Sequence, residues 1–233
     1  MRVQVAFTPA EALSAPVGIV VDVLRATSTI AQALAAGYRR VLCCAEVDEA
    51  RELASAEGDS VLGGERRTVR IPGFDLGNSP SEYAGPPQAR TVILTTTNGT
   101  RLLLAAASRC EIVLVGSLLN LGAVVETARA AGADDVGVMC AGVAGEFALD
   151  DAYVAGRIAA DLGGAHADSA VAAVRLAGTF SGAGEALSAS RSAANLRRAG
   201  LEADVTWCAR ESALDVVPRF RGMVAHAAEV TLG

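Results

Sequence analysis

The sequence predicts an α/β fold on a largely parallel or mixed sheet, and three observations carry that expectation. The chain of 233 residues is 52% hydrophobic but only 4% aromatic. Its interior is therefore built from Val, Ile and Leu, which suit buried parallel strands, and from Ala, which suits close-packed helices. The stretch VGIVVDVLRATSTIAQALAAGYRRVLCCAEVDEARELA, from Val17, reads as a strand ending near Val23, a polar turn, a helix from about Ser28 to Ala36, a strand from Val41 and a helix from about Val47. From Thr91 onward, TVILTTTNGTRLLLAAASRCEIVLVGSLLNLGAVVETARAAG gives the same order at an offset of about 71 residues, placing Thr29 on Thr100.

The two stretches, roughly 17–58 and 88–132, read as related halves of a single domain over 1–233; the general similarity of any two βαβ units is the alternative. A third strand-turn-helix follows, with its strand near Val136 to Cys140. The later chain is helical in its Ala/Arg/Leu pattern, with a short strand expected around Asp204 to Cys208. Ligands of open α/β sheets collect beyond the carboxyl ends of the strands, so the three turns are expected to meet at one rim.

All 20 basic residues are arginine. That excludes a P-loop lysine, a Schiff base and a lysine general base, and leaves guanidinium groups and backbone N–H donors to hold any anion. A formal charge of -6 argues against a nucleic-acid partner. The five cysteines form no C-x-x-C pair, so neither a disulfide framework nor a zinc site is signalled, and a reducing cytoplasm is expected. The longest apolar run, Ile112 to Val125, is broken by Ser117, Asn120 and two glycines, so no membrane span or signal peptide is expected.

The polar turns carry the chemistry. In the first, Asp22 stands at a strand end, followed by Arg25, Thr27, Ser28 and Thr29 at a helix start, where unpaired N–H groups and the dipole favour an anion; Thr27 or Ser28 acting only as an N-cap is the local alternative. Haloacid dehalogenase phosphatases also have an Asp at this place but need an acid Asp two residues on, where Leu24 stands. The second turn, Thr95 to Thr100, offers hydroxyls with Asn98 and Gly99, whose backbone can approach a ligand closely. The third ends in Glu146, Asp150 and Asp151; those carboxylates complement a helix dipole or, as hard oxygen ligands, hold Mg²⁺. Between the first two turns lies a Gly/Pro-rich loop with Glu65, Arg66, Arg67, Arg70 and the segment GFDLGNSP. There Phe74 is expected to anchor the loop, while Asp75, Asn78 and Ser79 face a ligand or orient Arg66. His166 and His226 lie away from all of these turns.

Taken in order, DVLRATSTI, GGER with GFDLGNSP, TTNGT, CAG with LDD, and SRSAANLRRAGLEADVTWCARESALDVVP resemble the 2-phosphosulfolactate phosphatase family over about Val20 to Pro218. The resemblance implies a three-layer α/β/α fold and Mg²⁺-dependent hydrolysis of the phosphate monoester of 2-phospho-3-sulfolactate, a step associated with coenzyme M biosynthesis. Its motif positions fall on Asp22, Arg25, Thr27, Ser28, Glu65, Arg66, Asp75, Asn78, Ser79, Asn98, Gly99, Thr100, Gly142, Asp150 and Asp151. Arg67-Thr68 depart from the pattern, which carries another glycine there.

Roles for these residues follow from their chemistry. Mg²⁺ is expected on some of Asp22, Glu65, Asp150 and Asp151, the phosphate on Arg25 and the Asn98-Gly99-Thr100 turn, and the sulfonate or carboxylate end on Arg66 with Asn78 and Ser79. Asp22, Arg25 and Asp151 are the expected catalytic residues, and Asp22 is a candidate nucleophile. A non-catalytic binding module for a small anionic metabolite, or a metal-dependent phosphohydrolase of another substrate, is the alternative. A homodimer is left open.

Overall fold

The computed structural model describes residues 1–11 and 13–232. In chain order the strands and helices are β1 (Arg2–Ala6), β2 (Val17–Val21), α1 (Ala26–Ala35), β3 (Arg40–Cys44), α2 (Val47–Glu57), β4 (Ser60–Arg66), β5 (Val69–Arg70), β6 (Thr91–Thr95), α3 (Gly99–Ala107), β7 (Ile112–Gly116), α4 (Leu121–Ala130), β8 (Asp135–Cys140), α5 (Leu149–Leu162), β9 (Ala165–His166), α6 (Asp168–Ala177), α7 (Ala183–Ser188), α8 (Arg191–Arg198), α9 (Ala203–Cys208), β10 (Pro218–Val224) and β11 (Ala227–Leu232).

The strands form one mixed sheet in the order β5-β4-β6-β3-β11-β10-β7-β2-β8-β1-β9. β4, β6 and β3 pair in parallel on one side of the β10–β11 hairpin, and β7, β2, β8, β1 and β9 pair in parallel on the other. The hairpin is antiparallel to both neighbours, β3 and β7. Every residue of β2 is buried, and its pleat sends side chains to opposite faces. Ile19 and Val21 join a cluster with Val154 and Ile158 of α5, while Val20 joins one with Ile30, Leu34 and Leu103 of α1 and α3. On the far half, Val41 and Val92 face α1 and α3 whereas Leu42 and Ile93 face the α2 side. Helices thus cover both faces, the three-layer α/β/α arrangement.

The order β2-α1-β3-α2-β4 recurs as β6-α3-β7-α4-β8. Counting outward from the hairpin, one side reads β3, β6, β4 and the other β7, β2, β8. The first strands of the two stretches are therefore exchanged across the hairpin. α1 and α3 make those crossings on the same face, which brings their N-termini together.

Two elements differ from the sequence reading. The segment around Asp204 is helix, not strand: Asp204, Val205 and Cys208 are buried and the residues between are not. That is the one-sided burial of a helix, and Val205 and Cys208 join the core beside Ala193 and Leu196. The C-terminal hairpin was not anticipated because its two-residue turn, Ala225-His226, carries no Asn or Gly even though Ala225 sits at φ 51°.

Candidate active site

The helix starts of α1 and α3 meet face to face. A Cβ on Gly99 would stand 2.5 Å from Ala26 Cβ and 2.8 Å from Asp22 Oδ2, closer than real Cβ atoms come, so only glycine allows this approach. Neither N-cap residue, Arg25 or Asn98, caps its helix with its side chain. Two positive dipole ends therefore converge on one place. Beside them opens a cavity of about 560 Å³ lined by residues of all three turns, among them Asp22, Arg25, Glu65, Thr97, Asn98 and Ala144.

The hydroxyls of the first turn shape it rather than cap it. Asp22 N–H donates to Thr27 Oγ1 at 3.2 Å, Ser28 Oγ donates to Val23 O at 2.9 Å, and Thr29 Oγ1 donates to Asn78 O at 2.8 Å. Ser28 is wholly buried and does not reach the cavity lining. In the second turn Thr100 N–H and Oγ1 both meet Thr96 Oγ1 at 3.3 Å.

Four carboxylates surround this point, with different partners. Asp151 accepts from Val23 N–H at 2.9 Å and Gly142 N–H at 3.0 Å, stapling the turn after β2 to the turn after β8; Gly142 sits at φ 64°, which favours glycine. Glu65 accepts from Thr97 N–H and Oγ1, both at 2.9 Å, and from Thr68 N–H at 2.8 Å. Asp150 accepts from Ser192 Oγ of α8 at 3.0 Å. Among the described residues the Asp22 carboxylate has only a long contact from Ala26 N–H, 3.4 Å, and it lines the cavity.

Burial, then the charges of Asp150 and Glu65, push the Asp22 carboxyl up from 3.8 to about 7, against the pull of Ala26 N–H and Arg25. Burial lifts Asp150 to about 6, opposed by the Ser192 hydroxyl. Asp151 is raised well above the carboxylate range by burial and by Asp150 and Asp22. Groups so shifted in a cleft are the mark of a functional site. The thiols are no rivals as nucleophiles: burial raises Cys140 far above its ordinary value and Cys208 to about 12.

Arg25, 3% exposed, is held through both Nη atoms. It donates to Asp204 Oδ2 at 2.7 Å, to Ser79 Oγ at 3.2 Å and to Thr68 O at 2.8 Å, and Ser79 Oγ also donates to Asp204 at 2.7 Å. Asn78 Oδ1, on the cavity-lining Asn78, is buried without a hydrogen-bond partner among the described residues.

Residues 4–223 match the family described as 2-phosphosulpholactate phosphatase. The chain belongs to that family. It is 40% identical over 233 residues to a protein of Thermus thermophilus named "Probable 2-phosphosulfolactate phosphatase", covering 97% of this chain and 98% of the relative. Two further relatives bear the same name. One from Deinococcus radiodurans is 39% identical over 87% of this chain and 86% of its own length, and one from Symbiobacterium thermophilum is 39% identical over 91% and 94%.

The expected site residues of this family member divide into two groups. Asp22, Arg25, Glu65, Asn78 and Asn98 line the cavity, and Thr27, Ser28, Ser79, Gly99, Thr100, Asp150 and Asp151 lie behind it and support it. Two expected residues stand outside the cavity lining. Arg66 turns away from it: its guanidinium donates to Glu65 O, Ala45 O and Thr95 Oγ1, all at 2.9 Å, which closes the end of β4 against β6. Asp75 is exposed and accepts from Leu62 N–H at 2.8 Å, away from the cavity. Phe74 is buried against Leu42, Ile93 and Ala50, anchoring the loop.

Sequence reasoning missed Ser192, Asn195, Arg198 and Asp204. The first three share one face of α8 at three-residue spacing, a signal the sequence did contain; Asp204 was hidden by its assignment to a strand. Among the described residues no three His, Cys, Asp or Glu side chains gather as a ligand group, so the structure does not bring the four expected carboxylates together as a cage. Asp22 and Asn78, two cavity-lining residues with hard oxygen donors, the Asn78 Oδ1 buried and unpartnered among the described residues, do suit Mg²⁺, which needs only one or two carboxylates and keeps several waters.

Proposed function

We propose that the protein hydrolyses the phosphate monoester of 2-phospho-3-sulfolactate with the help of Mg²⁺. Family membership and the names of its relatives support the substrate class. The observation that carries the reaction type is Asp22: a carboxylate raised to about 7, opening on a cavity where two helix starts meet, neither capped by its own N-cap side chain.

The phosphoryl group sits against the N-termini of α1 and α3, whose N–H groups and dipoles neutralise its charge as the P–O bond lengthens. Asp22 orients the attacking water and accepts its proton as the water oxygen bonds to phosphorus, while the P–O ester bond breaks and the ester oxygen departs with the sulfolactate, taking a proton from solvent. Asp151 holds the turns of Asp22 and Gly142 in register, and the Arg25–Asp204–Ser79 group holds the N-cap of α1. Asp22 and Asn78 are the residues that would hold Mg²⁺, which would supply charge neutralisation for the phosphoryl group. One observation favours a second route: among the described residues Asp22 Oδ2 has no hydrogen-bond partner, which suits a nucleophile that attacks phosphorus, displaces the ester oxygen and forms an aspartyl-phosphate.

The test is phosphate release from a panel of phosphorylated hydroxy acids with Mg²⁺ and with chelator, followed by a single turnover in ¹⁸O-water. Mg²⁺-dependent release from 2-phospho-3-sulfolactate is the expected result; ligand-induced thermal stabilisation without any release would establish a binding module instead. Unlabelled phosphate in the first turnover excludes attack by water; where the phosphate is labelled, acid-quench trapping of a phosphorylated Asp22 separates the aspartyl route, which requires it, from direct attack, which does not.

A further inference from the structure

The proposed substrate carries three acidic groups, and the cavity's buried cation is already neutralised: Arg25 forms its ion pair with Asp204 at 2.7 Å. Two other guanidinium groups line the same cavity, Arg67 and Arg198. Both side chains are exposed, and neither forms an ion pair among the described residues. Most other arginines near this rim are occupied: Arg191 pairs with Glu146, and Arg197 with Glu202.

Arg67 is delivered by unusual backbone. β4 and β5 form an antiparallel pair with Arg66 opposite Val69, so Arg67-Thr68 are the two turn residues, and both have positive φ, 52° and 75°. Such turns favour Asn and Gly, and a β-branched residue there is an outlier. This turn is nevertheless pinned on two sides, by Thr68 N–H to Glu65 and by Arg25 to Thr68 O. A strained conformation held by active-site side chains marks a functional position. On the same cavity, Arg198 lies on the α8 face that also brings Ser192 and Asn195 to the lining. Arg198 donates to Asn195 Oδ1 at 3.0 Å, which leaves the Asn195 amide N–H groups as donors beside the guanidinium.

We propose that Arg67 and Arg198, with Asn195, form a second anion subsite that reads the sulfonate end of the substrate while the phosphoryl group occupies the helix starts. Guanidinium forks match the three-oxygen face of a sulfonate, and two unpaired cations balance the charge that Arg25 cannot. This subsite rests on the phosphatase reading for its ligand, but its test does not need turnover.

The experiment is titration calorimetry of the full chain with Mg²⁺, comparing 3-sulfolactate with lactate, which lacks the sulfonate. The proteins are wild type, Arg67→Gln, Arg198→Gln, the double variant, and Arg191→Gln as a control for removing a nearby paired charge. Melting curves accompany each titration to confirm folding. Wild type is expected to prefer 3-sulfolactate. Each single variant should weaken it about tenfold, the scale of one charged hydrogen-bonding group, and the double variant should bring the two affinities close to equal. Arg191→Gln should keep the wild-type preference. An unchanged preference in the double variant, or an equal loss for both ligands, overturns the subsite. Absence of phosphate release by a wild type that shows the preference overturns the hydrolytic reading and leaves the subsite standing.

Discussion

Asp22→Asn is expected to abolish activity while making the metal-free protein more stable, and the second effect is the sharper test. The carboxyl moves from 3.8 to about 7 on folding, roughly three units at about 1.4 kcal/mol each, so keeping it ionised above pH 7 opposes folding by up to about 4 kcal/mol. A raised folded-state pKa contributes stability that is complete below the unfolded value and is lost as pH rises through the folded value, here between about pH 4 and pH 7. Asparagine keeps the shape and the acceptor for Ala26 N–H, removes the charge, and leaves a buried amide donor to satisfy, a loss of about 1 kcal/mol. The net gain at pH 8 is about 2–3 kcal/mol, or about 5–10 °C in Tm for a chain of this size. Differential scanning calorimetry in chelator at pH 8 and at pH 4.5 measures it. The variant should melt higher at pH 8 and close to wild type at pH 4.5. A variant that melts at or below wild type at pH 8, or an offset that does not shrink on acidification, would refute the view that Asp22 is held ionised against the fold for the sake of chemistry.

Other variants separate the site from its frame. Gly99→Ala forces a methyl against Ala26 and Asp22 and should lower stability by about 1–3 kcal/mol, with phosphate release falling at least tenfold in steady-state assays. Asp204→Ala leaves the Arg25 guanidinium buried and unpaired, a loss of about 3–5 kcal/mol, visible as a lower urea midpoint; Asp204→Asn, which keeps an acceptor for Ser79, should lose less. Arg66→Gln removes three hydrogen bonds at the β4–β6 end and should lower the melting temperature without selectively raising KM. Asp75→Ala, outside the cavity, should leave kcat/KM within about twofold of wild type.

Much of the fold was legible because its strands are unambiguous. VGIVV and IVLVG are continuous β-branched or aliphatic runs between polar turns, and they occupy adjacent central positions in the sheet. What the sequence could not show was the partner of each strand: the exchange of β2 and β6 across the hairpin is a long-range arrangement with no local signature. The hairpin itself escaped because Ala225-His226 lacks turn residues and β10 is largely half-buried or exposed.

At the site, residue types identified Asp22, Arg25, Glu65 and Asn98, since carboxylate, guanidinium and amide at strand ends have few structural uses in that number. Residue type did not separate Arg66 from Arg67. These neighbours differ only in which way the chain turns, and the turn sends one to the β4–β6 end and the other to the cavity. Asp204 was missed for a related reason: a six-residue helix, Ala203–Cys208, with Val, Thr and Trp in its middle has the composition of a strand, and tertiary packing overrides that preference.

The most direct test of the account is phosphate release from 2-phospho-3-sulfolactate by wild type and by folded Asp22→Asn, each with Mg²⁺ and with chelator. Wild type should release phosphate only with Mg²⁺, and the variant should be slower by at least a hundredfold while remaining folded. Turnover by Asp22→Asn within twofold of wild type would contradict the placement of the chemistry between the two helix starts.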